Sequence, residues 1–144
     1  MLPVEAERLI GVLSRWVERQ HTCRAMAVVG SWARGTARSD SDLDLLLLTN
    51  TLDHWSSDAD WLPGVGLDEI AMEIKSAQLL RYGATRSWHI QLSPPAELEL
   101  TFADLTWANL TPIDPGSRKV VSGGIRITVD KDKLLATLKR IVLG

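Results

Sequence analysis

The sequence predicts an α/β (α+β) protein, because helical and strand patterns follow one another along a chain of 144 residues. Apolar residues recur at helical spacing near both ends, over residues 3–20 and 131–143. Between these segments, short apolar runs bounded by glycine, proline, serine or aspartate indicate strands. The length fits a single domain, residues 1–144, that buries one substantial core.

The N-terminal third predicts two helices and two strands. Pro3 lies in the first turn of the helix over residues 3–20, and Leu9, Leu13 and Trp16 share one of its faces. The elements predicted after it are a strand over residues 24–29, a short helix over residues 31–37, a polar loop and an apolar strand that ends at Thr49.

The middle of the chain predicts one helix and three strands. Residues 50–63 form a helix with Trp55 and Trp61 as aromatic anchors, which ends at a Pro-Gly pair. Over residues 68–83 the apolar positions fit both the alternation of a strand and a helical stripe, and we favour the strand. Residues 88–92 and 97–102 are strands joined by a turn at two prolines.

The C-terminal part predicts a turn, a hairpin and a helix. Asp114-Pro115-Gly116 has the chemistry of a turn. Apolar residues on both sides of Ser122-Gly123-Gly124 indicate a hairpin whose second strand covers residues 125–129. Asp130 then caps the helix over residues 131–143.

Composition excludes some classes of function. The chain carries 16 basic and 18 acidic residues, a net charge of −2, so no positive field favours nucleic acid as a partner. Cys23 is the single cysteine, which excludes an intramolecular disulfide and predicts a small core or strand-edge residue. No leader pattern and no apolar run near 18 residues occurs, so we expect a cytoplasmic protein with no membrane segment.

The chemistry concentrates between residues 27 and 49. Asp42 and Asp44 are two positions apart at the start of an apolar strand, so they project to one face. Carboxylates held side by side favour a cation between them, and hard oxygen ligands suit Mg²⁺ that carries nucleotide phosphates. Gly30 and Ser31 open a short helix nearby, where free N–H groups favour an anion.

The order Gly30-Ser31-x-x-Arg34-Gly35 followed by Ser41-Asp42-x-Asp44 resembles the signature of the nucleotidyltransferase superfamily. That superfamily includes DNA polymerase beta, the aminoglycoside nucleotidyltransferases and the minimal nucleotidyltransferase antitoxins. Residues 103–121 resemble the tail of small bacterial members, so the resemblance covers nearly the whole chain. It implies a nucleotidyltransferase fold with a mixed central sheet flanked by helices.

The resemblance also implies roles for individual residues. Asp42 and Asp44 would hold Mg²⁺, and a third carboxylate from a neighbouring strand would complete a second metal site or accept the proton of the acceptor hydroxyl. Both Glu97 and Glu99 are candidates for that carboxylate. We choose Glu99, which is farther from the two prolines and has leucine on both sides, with Glu97 as the fallback.

The candidate nucleotide-binding residues are Gly30, Ser31, Arg34 and Ser41. Arg34 would pair with the phosphates. Ser41 would order the loop by hydrogen-bonding the backbone or Asp44.

Downstream residues leave alternatives open. Arg118 and Lys119 are either surface charges, which we favour, or part of a phosphate-binding patch. Trp107 is either a core or interface residue or a stacking surface for a base.

The resemblance implies an Mg²⁺-dependent nucleotidyltransferase that moves a nucleoside monophosphate, AMP from ATP first of all, to a hydroxyl of a small molecule or a protein. An alternative is an antitoxin of the minimal nucleotidyltransferase type that binds, and can modify, a helical toxin. A third hypothesis is a regulator that binds nucleotide without turnover. The sequence names neither the acceptor nor the base, and a protein partner or a homodimer is compatible with it.

Overall fold

One six-stranded sheet organises the protein, for which a computed structural model describes residues 1–144. The strands are β1 (Cys23–Val29), β2 (Leu43–Thr49), β3 (Glu73–Tyr82), β4 (Thr85–Ser93), β5 (Ala96–Asp104) and β6 (Arg126–Asp130). The helices are α1 (Pro3–Arg19), α2 (Ser31–Arg34), α3 (Leu52–Ser56), α4 (Pro115–Ser122) and α5 (Leu134–Leu143). Short 3-10 turns cover Leu62–Val65, Leu67–Ile70 and Leu105–Ala108.

The sheet is mixed, with strand order β3-β4-β5-β2-β1-β6. Strands β2 and β5 pair in parallel, while the other neighbouring pairs are antiparallel. The parallel pair needs a long crossover, and the chain from α3 to β4 supplies it. The predicted mixed sheet flanked by helices is confirmed.

The sheet separates two apolar cores. The larger one joins α1, α3 and the first two 3-10 turns to the sheet face that carries Leu43, Leu45 and Leu47. The smaller one lies under α4 and α5, on the face that carries Leu46 and Leu48. Because burial of the alternate leucines fixes the register of β2, it also decides which face its acidic residues share.

Several helices and strands begin or end at other residues than the sequence predicts. The helix predicted over residues 31–37 ends at Arg34, because Gly35 takes a left-handed conformation with φ 76°. The helix predicted over residues 50–63 is limited to α3 and a following 3-10 turn. Residues 68–83 begin with a 3-10 turn and continue as β3, so the favoured strand is confirmed for its second part.

The predicted hairpin around Ser122-Gly123-Gly124 is wrong, because its first arm is the helix α4. Pro115 lies in the first turn of that helix, and the side chain of Asp114 accepts a hydrogen bond of 3.0 Å from the backbone N–H of Ser117. This N-cap outweighs the strand preference of the two valines that follow. Only the second arm is a strand, β6.

The predicted helix over residues 131–143 begins three residues later, at Leu134, because Lys133 takes a left-handed conformation with φ 59°. Asp130 nevertheless supports this end of α5. Its carboxylate accepts hydrogen bonds from the backbone N–H groups of Leu135 and Ala136 at 3.3 and 2.8 Å. No helix of the protein has both the length and the apolar character needed to cross a membrane.

Candidate active site

Three carboxylates meet on the sheet face opposite the large core. Asp44 on β2 is the direct partner of Glu99 in the parallel β2–β5 ladder, and Asp42 precedes the first residue of β2. Each of the three offers one oxygen, and these oxygens lie within 4.8 Å of one another. The chosen third acid, Glu99, therefore belongs to the cluster.

Glu97 lies two residues before Glu99 on β5, and its side chain has a different hydrogen-bond partner. Its carboxylate accepts a hydrogen bond of 3.0 Å from the side-chain amide of Gln91 on β4. It also approaches Asp42, and this contact, followed by desolvation, raises the pKa of Asp42 to about 6. The same hydrogen-bonding contact with Asp42, followed by the one with Gln91, lowers the pKa of Glu97.

The position of Asp44 disfavours the negatively charged form of its carboxyl group. Burial, followed by repulsion from Glu99 and Asp42, raises the pKa of its carboxyl group to about 7, against a weaker opposing effect of Arg34. Its Oδ1 atom is buried and has no hydrogen-bond partner. A buried acceptor of this kind costs stability unless a ligand satisfies it.

These observations test whether the residues fit a divalent metal ion. The donor set consists of three carboxylates with hard oxygen atoms, the ligands that Mg²⁺ prefers. A cation among the three acids would bind the unpaired oxygen of Asp44, and it would also stabilise the charged forms of Asp42 and Asp44, whose pKa values are raised. The residues therefore fit the metal.

Gly30 connects β1 to the short helix α2 and lies against Asp44. Its backbone adopts φ 70° and ψ −152°, a conformation that is essentially restricted to glycine. A Cβ atom at this position would lie 2.4 Å from Oδ2 of Asp44. The glycine is thus required both by the backbone turn and by the approach of the acid.

The start of α2 offers few hydrogen-bond donors to an anion. The backbone N–H groups of Ala33 and Arg34 both donate to the carbonyl oxygen of Gly30, at 3.1 Å each. Helix geometry leaves the N–H groups of Ser31 and Trp32 as the unpaired donors of this turn. Most of the positive charge that would attract an anion to this site must therefore come from side chains.

Two cationic side chains line a cleft together with Asp44 and Glu99, two of the three acids. This cleft has a volume of about 340 Å³, and Gly30, Arg34, Asp44, Glu99 and Lys119 are among the residues that line it. Arg34 comes from α2 and Lys119 from α4, so the cations lie on different elements. A cleft lined by both carboxylates and cations can hold a metal-bound polyphosphate.

The sequence favours Lys119 as a surface charge, whereas in the structure this residue lines the cleft. Its position there depends on α4 being a helix. The signal available in the sequence was Asp114-Pro115-x-Ser117, which is an N-cap followed by proline in the first turn. Arg118, the adjacent basic residue, does not line the cleft.

Ser41 lies in the loop before β2 and does not contact Asp44. Its hydroxyl accepts a hydrogen bond of 2.8 Å from the backbone N–H of Arg38, whose carbonyl oxygen accepts one of 3.0 Å from the N–H of Ser41. This reciprocal pair of hydrogen bonds closes the loop between α2 and the acids. Of the two partners predicted for Ser41, the backbone and Asp44, the structure shows the backbone.

His89 is a member of the site that the sequence did not indicate. It is the partner of Glu99 across the β4–β5 ladder, and its Nε2 atom lies 3.3 Å from Oε1 of Glu99. His89 and Glu99 are ten positions apart, and the register of the β4–β5 hairpin makes them partners. No local motif in the sequence therefore identifies this histidine.

Comparison with known proteins agrees with this geometry. The family model of the nucleotidyltransferase domain matches residues 11–102, more than half of the chain and all three acids of the cluster. This match confirms the resemblance found in the sequence. No curated protein sequence matches the chain significantly.

Two solved structures are similar to this chain at low sequence identity, and one of them has a TM-score above 0.5. An aminoglycoside 6-adenyltransferase from Bacillus subtilis superposes with a TM-score of 0.54 at 13% identity, over 72% of this chain and 36% of its own. A cytoplasmic RNA terminal U-transferase gives a TM-score of 0.46 at 16% identity, over 85% of this chain and 34% of its own. This chain thus spans about a third of the length of each protein.

Proposed function

Because the chain belongs to the nucleotidyltransferase domain family, we propose that it transfers a nucleoside monophosphate from a nucleoside triphosphate, ATP first of all, to a hydroxyl group. The acceptor is a hydroxyl-bearing small molecule or protein. In this reaction a bond forms between the acceptor oxygen and the α-phosphorus, the bond from that phosphorus to the bridging oxygen breaks, and pyrophosphate leaves. The single observation that supports the proposal most strongly is the cluster of three carboxylates, two of which, Asp44 and Glu99, line one cleft together with two cations.

Asp42, Asp44 and Glu99 would hold Mg²⁺. When bound, the metal would supply charge neutralisation at the phosphates. The three residues are held in place by packing, since Leu43 and Leu45 are fully buried on the opposite face. Such preorganisation means that the acids need no rearrangement when the nucleotide arrives.

Arg34 and Lys119, which line the cleft from two different helices, would orient the polyphosphate. The N–H groups of Ser31 and Trp32 would add directional hydrogen bonds, and the absence of a side chain at Gly30 would allow a phosphate to approach the backbone. Placement of the α-phosphate next to the acids is the main contribution expected of these residues.

Glu99 would accept the proton of the attacking hydroxyl. It is the acid farthest from Gly30 along the row Val29, Asp44, Glu99, so it would lie opposite a pyrophosphate that departs on the Gly30 side. Its side chain is 25% exposed, which leaves room for an acceptor to approach. This assignment needs no residue outside the cleft.

Adenylyl transfer is proposed ahead of other bases because the structural relative with the higher TM-score is named as an adenyltransferase. That likeness supports the fold, and the base remains to be measured. The groove described in the next section gives the measurement a structural target.

The test is calorimetric titration of the protein with ATP in the presence and absence of Mg²⁺, with pyrophosphate release measured in parallel. We expect Mg²⁺-dependent binding by the unaltered chain and none by Asp42→Asn/Asp44→Asn. Asp53→Asn is the matched control, because this exposed aspartate lies in α3, outside the cleft. Pyrophosphate release retained by Asp44→Asn would contradict the proposal.

A further inference from the structure

We propose that the groove running from Glu99 towards Tyr82 and Trp107 binds the base of the nucleotide, by stacking it on aromatic side chains. This inference rests on the proposed function, since the base is located relative to phosphates in the acid cleft.

The groove is continuous with the acid cleft. A second cavity of about 250 Å³ shares Val29, Glu99, Thr101 and Val120 with the cleft and extends to Trp107. A third cavity, of about 400 Å³, shares Tyr82, Thr85, Trp107 and Val120 with the second. A ligand anchored at the acids therefore has one connected path along the sheet.

The spacing along β5 suits a nucleoside. Thr101 and Ala103 follow Glu99 on the same face of this strand, at roughly 7 and 13 Å along it. With the α-phosphate at Asp44 and Glu99, the sugar would lie over Thr101 and the base between Thr101 and Ala103. Tyr82 and Trp107 line the groove at this level.

The walls offer stacking surfaces. Tyr82 is 55% exposed at the end of β3, so the face of its ring is accessible to a ligand. Trp107 is half-buried in the 3-10 turn after β5 and contributes to the smaller core. Aromatic side chains bind planar bases through their faces, with little dependence on the identity of the base.

Both rings are carried by firmly held segments. The turn next to Tyr82 is held by the hydroxyl of Thr85, which donates a hydrogen bond of 2.9 Å to the carbonyl oxygen of Tyr82. The carbonyl oxygen of Trp107 accepts one of 2.7 Å from the fully buried hydroxyl of Ser117 in α4. A preformed groove reduces the entropy lost when the base binds.

The chemistry of the groove favours a neutral planar ligand over a cation. At its far end, the carboxylates of Asp104 and Asp114 are already engaged with the backbone N–H groups of Thr106 and Ser117, at 3.0 Å each. The hydroxyls of Ser87 and Thr101 bond to each other at 2.7 Å and lie beside the rings. What remains for a ligand is aromatic surface and hydroxyl groups, as a base requires.

The test compares two probes that differ by the nucleoside, ATP and inorganic tripolyphosphate, each titrated calorimetrically with Mg²⁺ into the full chain. We expect Trp107→Leu and Tyr82→Leu each to weaken ATP binding by roughly 10- to 100-fold, with tripolyphosphate binding unchanged. Trp107→Phe keeps an aromatic face and should restore most of the affinity for ATP. Val4→Ala is the control, since Val4 is 53% exposed on α1 at the other face of the sheet.

Unchanged ATP binding in both leucine variants would overturn the base site while leaving the proposed function intact. An equal loss of both probes would overturn it as well, because the ring would then act through the fold. Failure of the unaltered chain to bind either probe would overturn the proposed function and this inference together.

Discussion

Gly30 and Asp44 approach so closely that a single added carbon would separate them: a Cβ atom at Gly30 would lie 2.4 Å from Oδ2 of Asp44. The glycine belongs to the turn after β1 and the acid to the start of β2, and the two strands are neighbours in the sheet. The contact joins the turn proposed to bind phosphate to the acid cluster, so neither part of the site can change alone.

Gly30→Ala should abolish Mg²⁺-dependent ATP binding, because the methyl group displaces the carboxylate of Asp44 and the backbone conformation disfavours any side chain. Calorimetry measures the loss. Gly35→Ala is the matched control, since Gly35 also has a positive φ, of 76°, but a Cβ there meets nothing within 4 Å. This variant should lose about 1–2 kcal/mol of stability and keep its affinity for ATP. An equal loss of affinity in the two variants would show that backbone strain alone is responsible, and full affinity in Gly30→Ala would contradict the prediction.

Asp44→Asn should stabilise the metal-free fold at pH 8. The pKa of Asp44 is raised from 3.8 to about 7 in the folded state, so this group contributes stability that is complete below about pH 4 and lost as the pH rises through 7. Removing the charge should recover on the order of 1–2 kcal/mol, less than the full shift because the cleft is open to water.

Thermal unfolding at pH 8 and pH 5 checks this sign: the advantage of Asp44→Asn should be present at pH 8 and smaller at pH 5. Added Mg²⁺ should raise the melting temperature of the unaltered chain and leave that of the variant unchanged. A variant less stable than the parent at pH 8 without metal would contradict the prediction.

Lys119→Gln should weaken ATP binding roughly 10-fold, the effect of removing one charge-assisted contact to a phosphate, and should reduce its dependence on salt. Arg118→Gln is an internal control on the same helix, because Arg118 carries the same charge and does not line the cleft. Titrations at two ionic strengths distinguish a local contact from a general field. Similar losses in the two variants would indicate the field.

Cys23 should resist thiol reagents in the folded protein. Its side chain is fully buried at the start of β1, and desolvation raises the pKa of the thiol to about 12, so almost no reactive thiolate exists at neutral pH. Labelling should require denaturant and then proceed to one thiol per chain. Rapid labelling under native conditions would show that β1 opens readily.

The distribution of acids on β2 follows from the sequence alone. Alternation places Asp42 and Asp44 on one face because burial of Leu43 and Leu45 commits the other face to the core. The family signature, the mixed α/β class and most strands of the sheet follow from similarly local patterns, because side-chain periodicity reports directly on which face is buried.

The remaining features were decided by contacts between distant segments. Whether Glu97 or Glu99 joins the cluster depends on the register of β5 against β2, which pairs residues 55 positions apart such as Asp44 and Glu99. The cation on α4 and the groove at Trp107 depend on how that helix packs on the sheet. Sequence periodicity determines the face of a residue, whereas only tertiary packing determines its neighbour, because registers and helix positions are set by the burial of the whole core.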